Sequence, residues 1–262
     1  MPSSKKQQQR RFDGRPNAGT LRPLSCELSC LANADGSALW KSGSTHVLAA
    51  VQGPIVPMSA NLPNDDPSNI VSVILKSGEE SSMLMTATTS DTTTSSSSVM
   101  LEAEWQNLLT NVFSSALDVP SLSKRVAGAA RIKIQIVFHI IQSNGSTVSC
   151  LLHAGVAALM DAGIDLLYMP IATTCLVATS VRLDPTSEEE CEDNTTLVVM
   201  VHRSTGHYAC CGSHVVGGRG LTMQQYQRCH QLAKKACPAV VAFWRLMVEH
   251  KVKHQAETLW SQ

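Results

Sequence analysis

Short stretches of alternating apolar and β-branched residues occur through most of the chain and predict β-strands. The most regular stretch is Arg131–Ile141, which we expect to be a central strand of a sheet. Two segments, Ala34–Ser37 and Lys41–Ser44, contain the glycine and small polar residues that hairpin turns require. The remaining strands are expected at residues 24–33, 37–40, 45–51, 70–75, 171–179, 196–202 and 208–211.

Apolar residues at helical spacing predict three helices, at residues 100–117, 149–163 and 222–250. The second of these is apolar on nearly every face, which is typical of a helix that is buried on all sides. Strands therefore precede, separate and follow the helices. This order predicts an α+β architecture made of two similar halves.

Three segments differ in composition from the rest and are not expected to join the core. Residues 1–20 are polar and basic and predict a mobile N-terminal arm. Residues 77–98 consist mostly of Ser and Thr, bury too little apolar surface to offset ordering entropy, and predict a disordered surface insertion. Residues 251–262 are expected to be a C-terminal tail. The folded domain is thus predicted to span residues 21–250.

The composition is that of a globular protein, with 44% hydrophobic and 16% charged residues. The formal net charge is zero, so no overall field attracts a polyanion, and any nucleic-acid binding requires a local basic patch. The N-terminus has no apolar stretch typical of a secretory signal, and no apolar run is long enough to cross a bilayer. We therefore expect a soluble intracellular protein without a membrane partner.

The nine cysteines argue against both a disulfide framework and a zinc site, because their number is odd and no CxxC pair occurs. His202, His207 and His214 lie near Cys210 and Cys211 in the sequence, but their spacing matches no zinc ligand set. We interpret them as ordinary strand residues. No metal ion and no cofactor are expected.

Several motifs follow one another along the chain in a characteristic order. They are DGR at 13–15, LRP at 21–23, ADGSALWKSGSTHVLAAVQGP at 34–54, NGSTVSCLLHAGVAALMDAGI at 144–164, and LDPT at 183–186 followed by three glutamates. Together they resemble the RNase PH family, and within it the RNase PH-like ring subunits of the eukaryotic RNA exosome.

The resemblance implies an RNase PH-type fold of two βαβ-type halves, similar to domain 2 of ribosomal protein S5, with a cleft between them. It implies a hetero-hexameric ring formed with other RNase PH-like subunits around a pore for RNA. It also implies S1/KH cap subunits and a separate catalytic ribonuclease as partners. The expected location is the nucleus and nucleolus, and also the cytoplasm.

Active members of this family hold inorganic phosphate with a loop and an arginine, and the matching positions here differ. Asn144, Gly145 and Ser146 form the remnant of the phosphate loop, and Thr147 stands where the arginine would be. A charge-assisted hydrogen bond is about twice as strong as a neutral one, so this change weakens the phosphate clamp. The resemblance therefore implies a degenerate phosphate site.

The acidic positions of the family are altered as well. Glu190 (or Glu189) matches the first acid and Thr196 (or Thr195) the second, and a threonine hydroxyl does not replace a carboxylate. We therefore predict no catalytic residue and a structural role in 3′-to-5′ RNA processing and degradation. A different alignment of residues 185–196 brings Asp193 to the site. In that case the protein would be an active phosphate-dependent 3′-to-5′ exoribonuclease.

RNA contact, if this chain makes it, is predicted at the basic cluster formed by Lys124, Arg125 and Arg131. The other interpretation of this cluster is a solvated surface. The start of the first long helix, where family members carry arginines, offers only Glu102 and Glu104. A further alternative is an α+β domain with unrelated partners.

Overall fold

Two β-sheets enclose a buried central helix. The computed structural model describes residues 11–55, 70–77, 94–126, 132–217 and 220–260. Within these ranges the chain forms two successive sheets, the first in the N-terminal half and the second in the C-terminal half.

The first sheet has the strand order β1-β2-β3-β5-β4. Its strands are β1 (Leu24–Leu28), β2 (Gly36–Ser42), β3 (Thr45–Ile55), β4 (Val71–Ser77) and β5 (Lys133–Gln142). β5 lies between β3 and β4, as its regular alternation predicted, and its residues Ile134, Ile136, Phe138 and Ile140 face the core.

Helices α1 (Thr94–Ala116) and α2 (Val119–Arg125) lie between β4 and β5 in the chain. β4 and β5 pair in parallel, so this connection is a βαβ crossover. The other pairings of the first sheet are antiparallel.

The second sheet has the order β7-β6-β8-β9 and is antiparallel throughout the described residues. Its strands are β6 (Pro170–Val177), β7 (Val181–Leu183), β8 (Thr196–Arg203) and β9 (Cys210–Val216). The resemblance implied a parallel crossover in both halves. Among the described residues the first sheet has it, whereas the pairs of the second sheet are antiparallel. The short helix α4 (Ser187–Glu190) connects β7 to β8, and the long helix α5 (Met223–Trp260) follows β9.

Helix α3 (Thr147–Asp161) is the centre of the core, as its apolar sequence predicted. Every residue from Thr147 to Leu159 is buried, and the helix packs on β2 and β3 of the first sheet and on β6 of the second. A Cβ atom at Gly155 would lie 2.4 Å from the Phe113 ring, so only glycine permits this approach. Helix α3 begins at the junction of the two sheets.

The structure corrects the predicted boundaries. Helix α5 continues to Trp260, so residues 251–260 are helical rather than a separate tail, and Lys251 binds the carboxylate of Asp161 on α3. The predicted mobile arm is wrong for residues 11–20, because Arg11 and Arg15 are buried. The Ser/Thr-rich segment 77–98 includes the end of β4 and the start of α1, and its remainder lies outside the described residues.

None of the helices in the described ranges combines the length and the apolar character that crossing a bilayer requires.

Candidate functional site

The remnant of the phosphate loop connects β5 to α3. It packs against residues 185–187 of the segment that follows β7 in the second half of the chain; this segment, residues 184–187, is called the strand end below. Gly145 adopts a left-handed conformation with φ +77°, and a Cβ atom there would lie 2.4 Å from the Pro185 carbonyl oxygen. The Asn144 side-chain oxygen accepts hydrogen bonds from the Ser187 N–H at 3.1 Å and hydroxyl at 2.6 Å. The loop therefore keeps a tight, defined backbone shape.

Glu190 lies beside the N-terminal end of α3. Its carboxylate accepts a hydrogen bond from the Ser146 N–H at 2.7 Å. The free N–H groups at a helix N-terminus ordinarily attract phosphate or carboxylate, so an internal carboxylate here fills the place of an external anion. Burial raises the pKa of Glu190 from its ordinary value of 4.5 to about 7, against the lowering effect of the Ser146 N–H.

The two threonines at degenerate positions are buried and uncharged. The Thr147 hydroxyl forms a 2.6 Å hydrogen bond with the Ser143 hydroxyl. Thr196 is the first residue of β8 and pairs with Val177 of β6. Neither position supplies a charge to the loop.

Of the acids considered from the sequence, the structure brings Glu190 to the loop and leaves Asp193 away from it. Asp193 is exposed in the turn before β8 and does not line the cleft. Glu189 points to the N-terminal segment, where it binds Arg11. The Thr195 hydroxyl donates to backbone carbonyls of the same turn.

A cleft of about 510 Å³ opens in front of Ser146. One wall is apolar and comes from Leu101 and Trp105 of α1 and from β8 and β9. Its charged lining residues are the carboxylates Glu188 and Glu190, and no lysine or arginine of the described chain lines it. Such a surface does not suit the phosphates of RNA.

One guanidinium, that of Arg22, does reach the loop, but its donors are already used. It binds the Asp184 carboxylate through Nε and Nη2, and the carbonyls of Asn144 and Gly145 through Nη1 and Nη2. Nη1 also donates to the Thr45 hydroxyl. All five N–H groups of the side chain therefore have partners within the protein.

Sequence reasoning missed this role of Arg22 and Asp184. Both residues belong to the quoted motifs LRP and LDPT, which served only as markers of the resemblance. A buried Arg and a buried Asp in two such motifs are expected to pair, because charged side chains are rarely buried without a partner. The identity of the partners required the structure.

The N-terminal segment also docks on this region. Arg11 forms a two-pronged ion pair with Glu189, at 2.5 Å from Nη2 and 2.9 Å from Nε, and donates to the Leu183 carbonyl. Arg15 donates to the Asp184 carbonyl at 2.8 Å and binds Asp13. The DGR motif thus holds the chain ahead of β1 against the strand end after β7.

The basic residues proposed for RNA binding lie elsewhere. Lys124 and Arg125 are exposed at the end of α2, and Arg125 donates to the Gly163 carbonyl just after α3. Since α3 has 15 residues, this end lies about 22 Å from the cleft. Arg131 is outside the described residues. RNA contact at this cluster stays a prediction.

The comparison with protein families decides the family of the chain. The model of the 3′ exoribonuclease family of RNase PH type matches in both of its domains, domain 1 at residues 20–165 and domain 2 at residues 168–236. The chain belongs to the RNase PH family of 3′ exoribonucleases. The α+β fold with two sheets agrees with this membership, so the predicted fold class is confirmed.

Individual RNase PH-type proteins are similar over most of the chain. An Arabidopsis thaliana protein named exosome complex exonuclease RRP46 homolog is 29% identical over 207 residues, which cover 74% of this chain and 75% of the relative. A Caenorhabditis elegans protein named exosome complex component RRP46 homolog is 25% identical over 243 residues, covering 90% and 97%. The crystal structure of rice (Oryza sativa) Rrp46 matches with a TM-score of 0.71 at 25% identity, covering 91% of this chain and all of that one.

Proposed function

We propose that this chain is a ring subunit of the eukaryotic RNA exosome, of the RRP46 type (exosome component 5), and has no catalytic activity of its own. Its role is to support 3′-to-5′ RNA processing and degradation, including rRNA maturation and the turnover of mRNA and noncoding RNA. The RNase PH family membership and the names of the Arabidopsis, C. elegans and rice relatives support this assignment.

The observation that carries the non-catalytic part is the hydrogen bond from the Ser146 N–H to Glu190. An orthophosphate can reach this N–H only after Glu190 moves away, and a charged Glu190 repels it. Thr147 offers a hydroxyl instead of a guanidinium, and the guanidinium of Arg22 is fully engaged. The cleft therefore keeps the shape of a phosphate site without the charges that hold phosphate.

The proposed partners are the other RNase PH-like subunits of a hetero-hexameric ring, S1/KH cap subunits, a separate catalytic ribonuclease and RNA. The proposed location is the nucleus and nucleolus, together with the cytoplasm. Sheet edges supply surface for assembly, since β1 and β9 each end a sheet with one side unpaired among the described strands.

The test is RNA shortening by the ring assembled with its partners but without the separate ribonuclease. We expect no phosphate-dependent shortening of single-stranded RNA at millimolar orthophosphate. Glu190→Gln and Asp193→Asn variants of this chain, assembled in the same way, are expected to behave as the unchanged ring. Phosphate-dependent activity that either substitution abolishes contradicts the proposal.

An active phosphorolytic exoribonuclease is the second candidate, favoured by one observation. Glu190, whose pKa is raised to about 7, lies beside the loop, and a carboxyl that titrates near neutrality suits general acid chemistry. The name of the Arabidopsis relative also includes the word exonuclease. This candidate further requires a basic phosphate ligand, and the described lining of the cleft provides none.

A further inference from the structure

Three side chains from separate elements converge on the second sheet, outside the cleft. They are His202 of β8, Cys210 of β9 and His230 of α5, and their ligand atoms all lie within 4.8 Å of one another. His202 follows Thr196 by six positions along β8, which places it about 20 Å from the cleft end of that strand.

The fold explains why residues so distant in sequence meet. His202 and Cys210 are cross-strand partners in the antiparallel β8–β9 pair, next to an irregularity of register after Val201. Helix α5 packs on β8 and supplies His230. Sequence spacing could not reveal this set, since its members lie on two strands and a helix.

The distances suit a tetrahedral zinc ion. Nε2 of His202 and Nδ1 of His230 are 3.1 Å apart. In a tetrahedral site with Zn–N bonds of about 2.0–2.1 Å, two nitrogen ligands are separated by about 3.3 Å, and a nitrogen and a thiolate sulfur by about 3.6 Å. To reach this geometry, the two nitrogens must move apart by a few tenths of an ångström. The thiol of exposed Cys210 must move closer by up to about one ångström.

We propose that His202, Cys210 and His230 bind a zinc ion with an open fourth coordination position. Two imidazoles and one thiolate are ligands of zinc and related borderline metals, whereas Mg²⁺ and Ca²⁺ require oxygen ligands. His202 is fully buried and His230 is partly buried, while Cys210 is exposed. The fourth position therefore faces solvent and accepts water or a donor from a partner.

The surroundings set the expected strength of binding. The Nδ1 atom of His202 has no hydrogen-bond partner among the described residues. No carboxylate therefore fixes the orientation of this imidazole through the nitrogen that does not bind the metal. Lys234, one helical turn after His230, adds a positive charge on the same helix. We expect reversible zinc binding that a chelator removes without unfolding the chain.

In the absence of metal the same residues form ordinary contacts. The two imidazoles share a hydrogen bond, and the Cys210 thiol donates to the Gly212 carbonyl at 3.3 Å. The thiol of the neighbouring Cys211 instead donates to the Val201 carbonyl at 3.5 Å and is outside the set. Cys211 is therefore a matched control, since it is the adjacent exposed cysteine of the same strand.

The test uses the full chain, stripped with a chelator and titrated with Co²⁺ alone and then with Zn²⁺ alone. We expect one equivalent of Co²⁺ to bind with a thiolate-to-cobalt charge-transfer band, and Zn²⁺ to displace it. Cys210→Ala is expected to abolish the band and to weaken Zn²⁺ binding at least tenfold, and His230→Ala to weaken it similarly. Cys211→Ala is expected to retain both. Thermal unfolding of the metal-free variants shows whether each remains folded.

The proposal is overturned if the unchanged chain shows no charge-transfer band, or if Cys210→Ala and Cys211→Ala bind both metals as the unchanged chain does. It is also overturned if Cys211→Ala alone loses the band. Because Cys210 is exposed and its thiol is outside the core, its alanine variant is expected to fold.

Discussion

Arg22 and Asp184 form a buried ion pair in which Nη2 of the arginine lies 2.7 Å from Oδ1 of the aspartate. The same guanidinium binds the carbonyls of Asn144 and Gly145. The pair therefore joins three segments that are distant in sequence: the entry to β1, the phosphate-loop remnant and the strand end after β7. It holds the loop in place without leaving charge for an external phosphate.

Asp184→Asn is expected to lower the free energy of unfolding by about 3 kcal/mol or more, because it leaves the Arg22 guanidinium buried without a carboxylate. Asparagine has the size of aspartate and tolerates the left-handed backbone at this position, φ 51°. The substitution thus isolates the loss of charge. Denaturant unfolding at pH 7 measures the change.

A matched control is the exposed ion pair between Lys41 and Glu27, at 2.9 Å. Glu27→Gln is expected to change the stability by less than about 1 kcal/mol, because solvent screens the pair. Equal effects of the two substitutions would contradict the role assigned to the buried pair.

Glu190→Gln is expected to change the pH dependence of stability. Burial raises the pKa of Glu190 from 4.5 to about 7, so between these values the folded chain keeps a proton that the unfolded chain has lost. The contribution of Glu190 to the free energy of unfolding therefore falls as the pH rises through this interval and levels off above pH 7. Glutamine keeps an oxygen for the Ser146 N–H and does not titrate.

The measurement is denaturant unfolding of both proteins from pH 4.5 to pH 8. The stability of Glu190→Gln relative to the unchanged chain is expected to rise with pH and to be largest above pH 7. A difference that does not vary with pH would show that Glu190 has an ordinary pKa.

Gly145→Ala is expected to destabilise the fold by at least about 1 kcal/mol more than Gly163→Ala. Both glycines are left-handed, with φ +77° and +65°, so both substitutions strain the backbone by about 1–2 kcal/mol. Only at Gly145 would the new Cβ atom also lie 2.4 Å from a backbone oxygen, that of Pro185, whereas no atom lies within 4 Å at Gly163. Similar losses of stability from both substitutions would contradict the close packing of Gly145 against Pro185.

Glu189→Ala is expected to release the N-terminal segment. Arg11 binds the Glu189 carboxylate and is buried, so trypsin has little access to the bond after Arg11 in the folded chain. Without the carboxylate, cleavage there is expected to accelerate at least about tenfold, which corresponds to a local loss of about 1.4 kcal/mol.

Mass spectrometry of a short trypsin digest measures this cleavage. Glu188→Ala is the matched control, because Glu188 is exposed on the same short helix and does not contact Arg11 in the described bonds. Rapid cleavage after Arg11 in the unchanged chain would contradict the docked position of this segment.

The regular elements could be predicted from local patterns. Buried residues alternate along β5 as far as Ile140, and α3 is apolar on nearly every face, so each pattern predicts a single kind of element. The C-terminal end of α5 could not be predicted, because residues 251–260 are mostly polar and Lys251 binds Asp161 of α3, which is distant in sequence. Contacts between distant segments do not appear in a local pattern.

The candidate site was predicted in part. The loop residues 144–147 and Glu190 do lie together, and the motifs pointed to them. The docking of Arg11 and Arg15 was missed because a basic segment near a terminus is ordinarily solvated. The trio of His202, Cys210 and His230 was missed because its members lie on three different elements.

The sequence alone predicted the α+β class and the buried central helix, because these depend on periodicity and on residue identity. That Thr147 stands in place of a phosphate-binding arginine was implied only by the resemblance to the RNase PH family. The tertiary structure decided how the remaining charges are used. Arg22 and Glu190 both contact the loop of residues 144–146, yet the guanidinium also binds Asp184 and the carboxylate accepts the Ser146 N–H. Which partner a buried charge finds depends on the packing of segments far apart in the chain, and no local pattern records it.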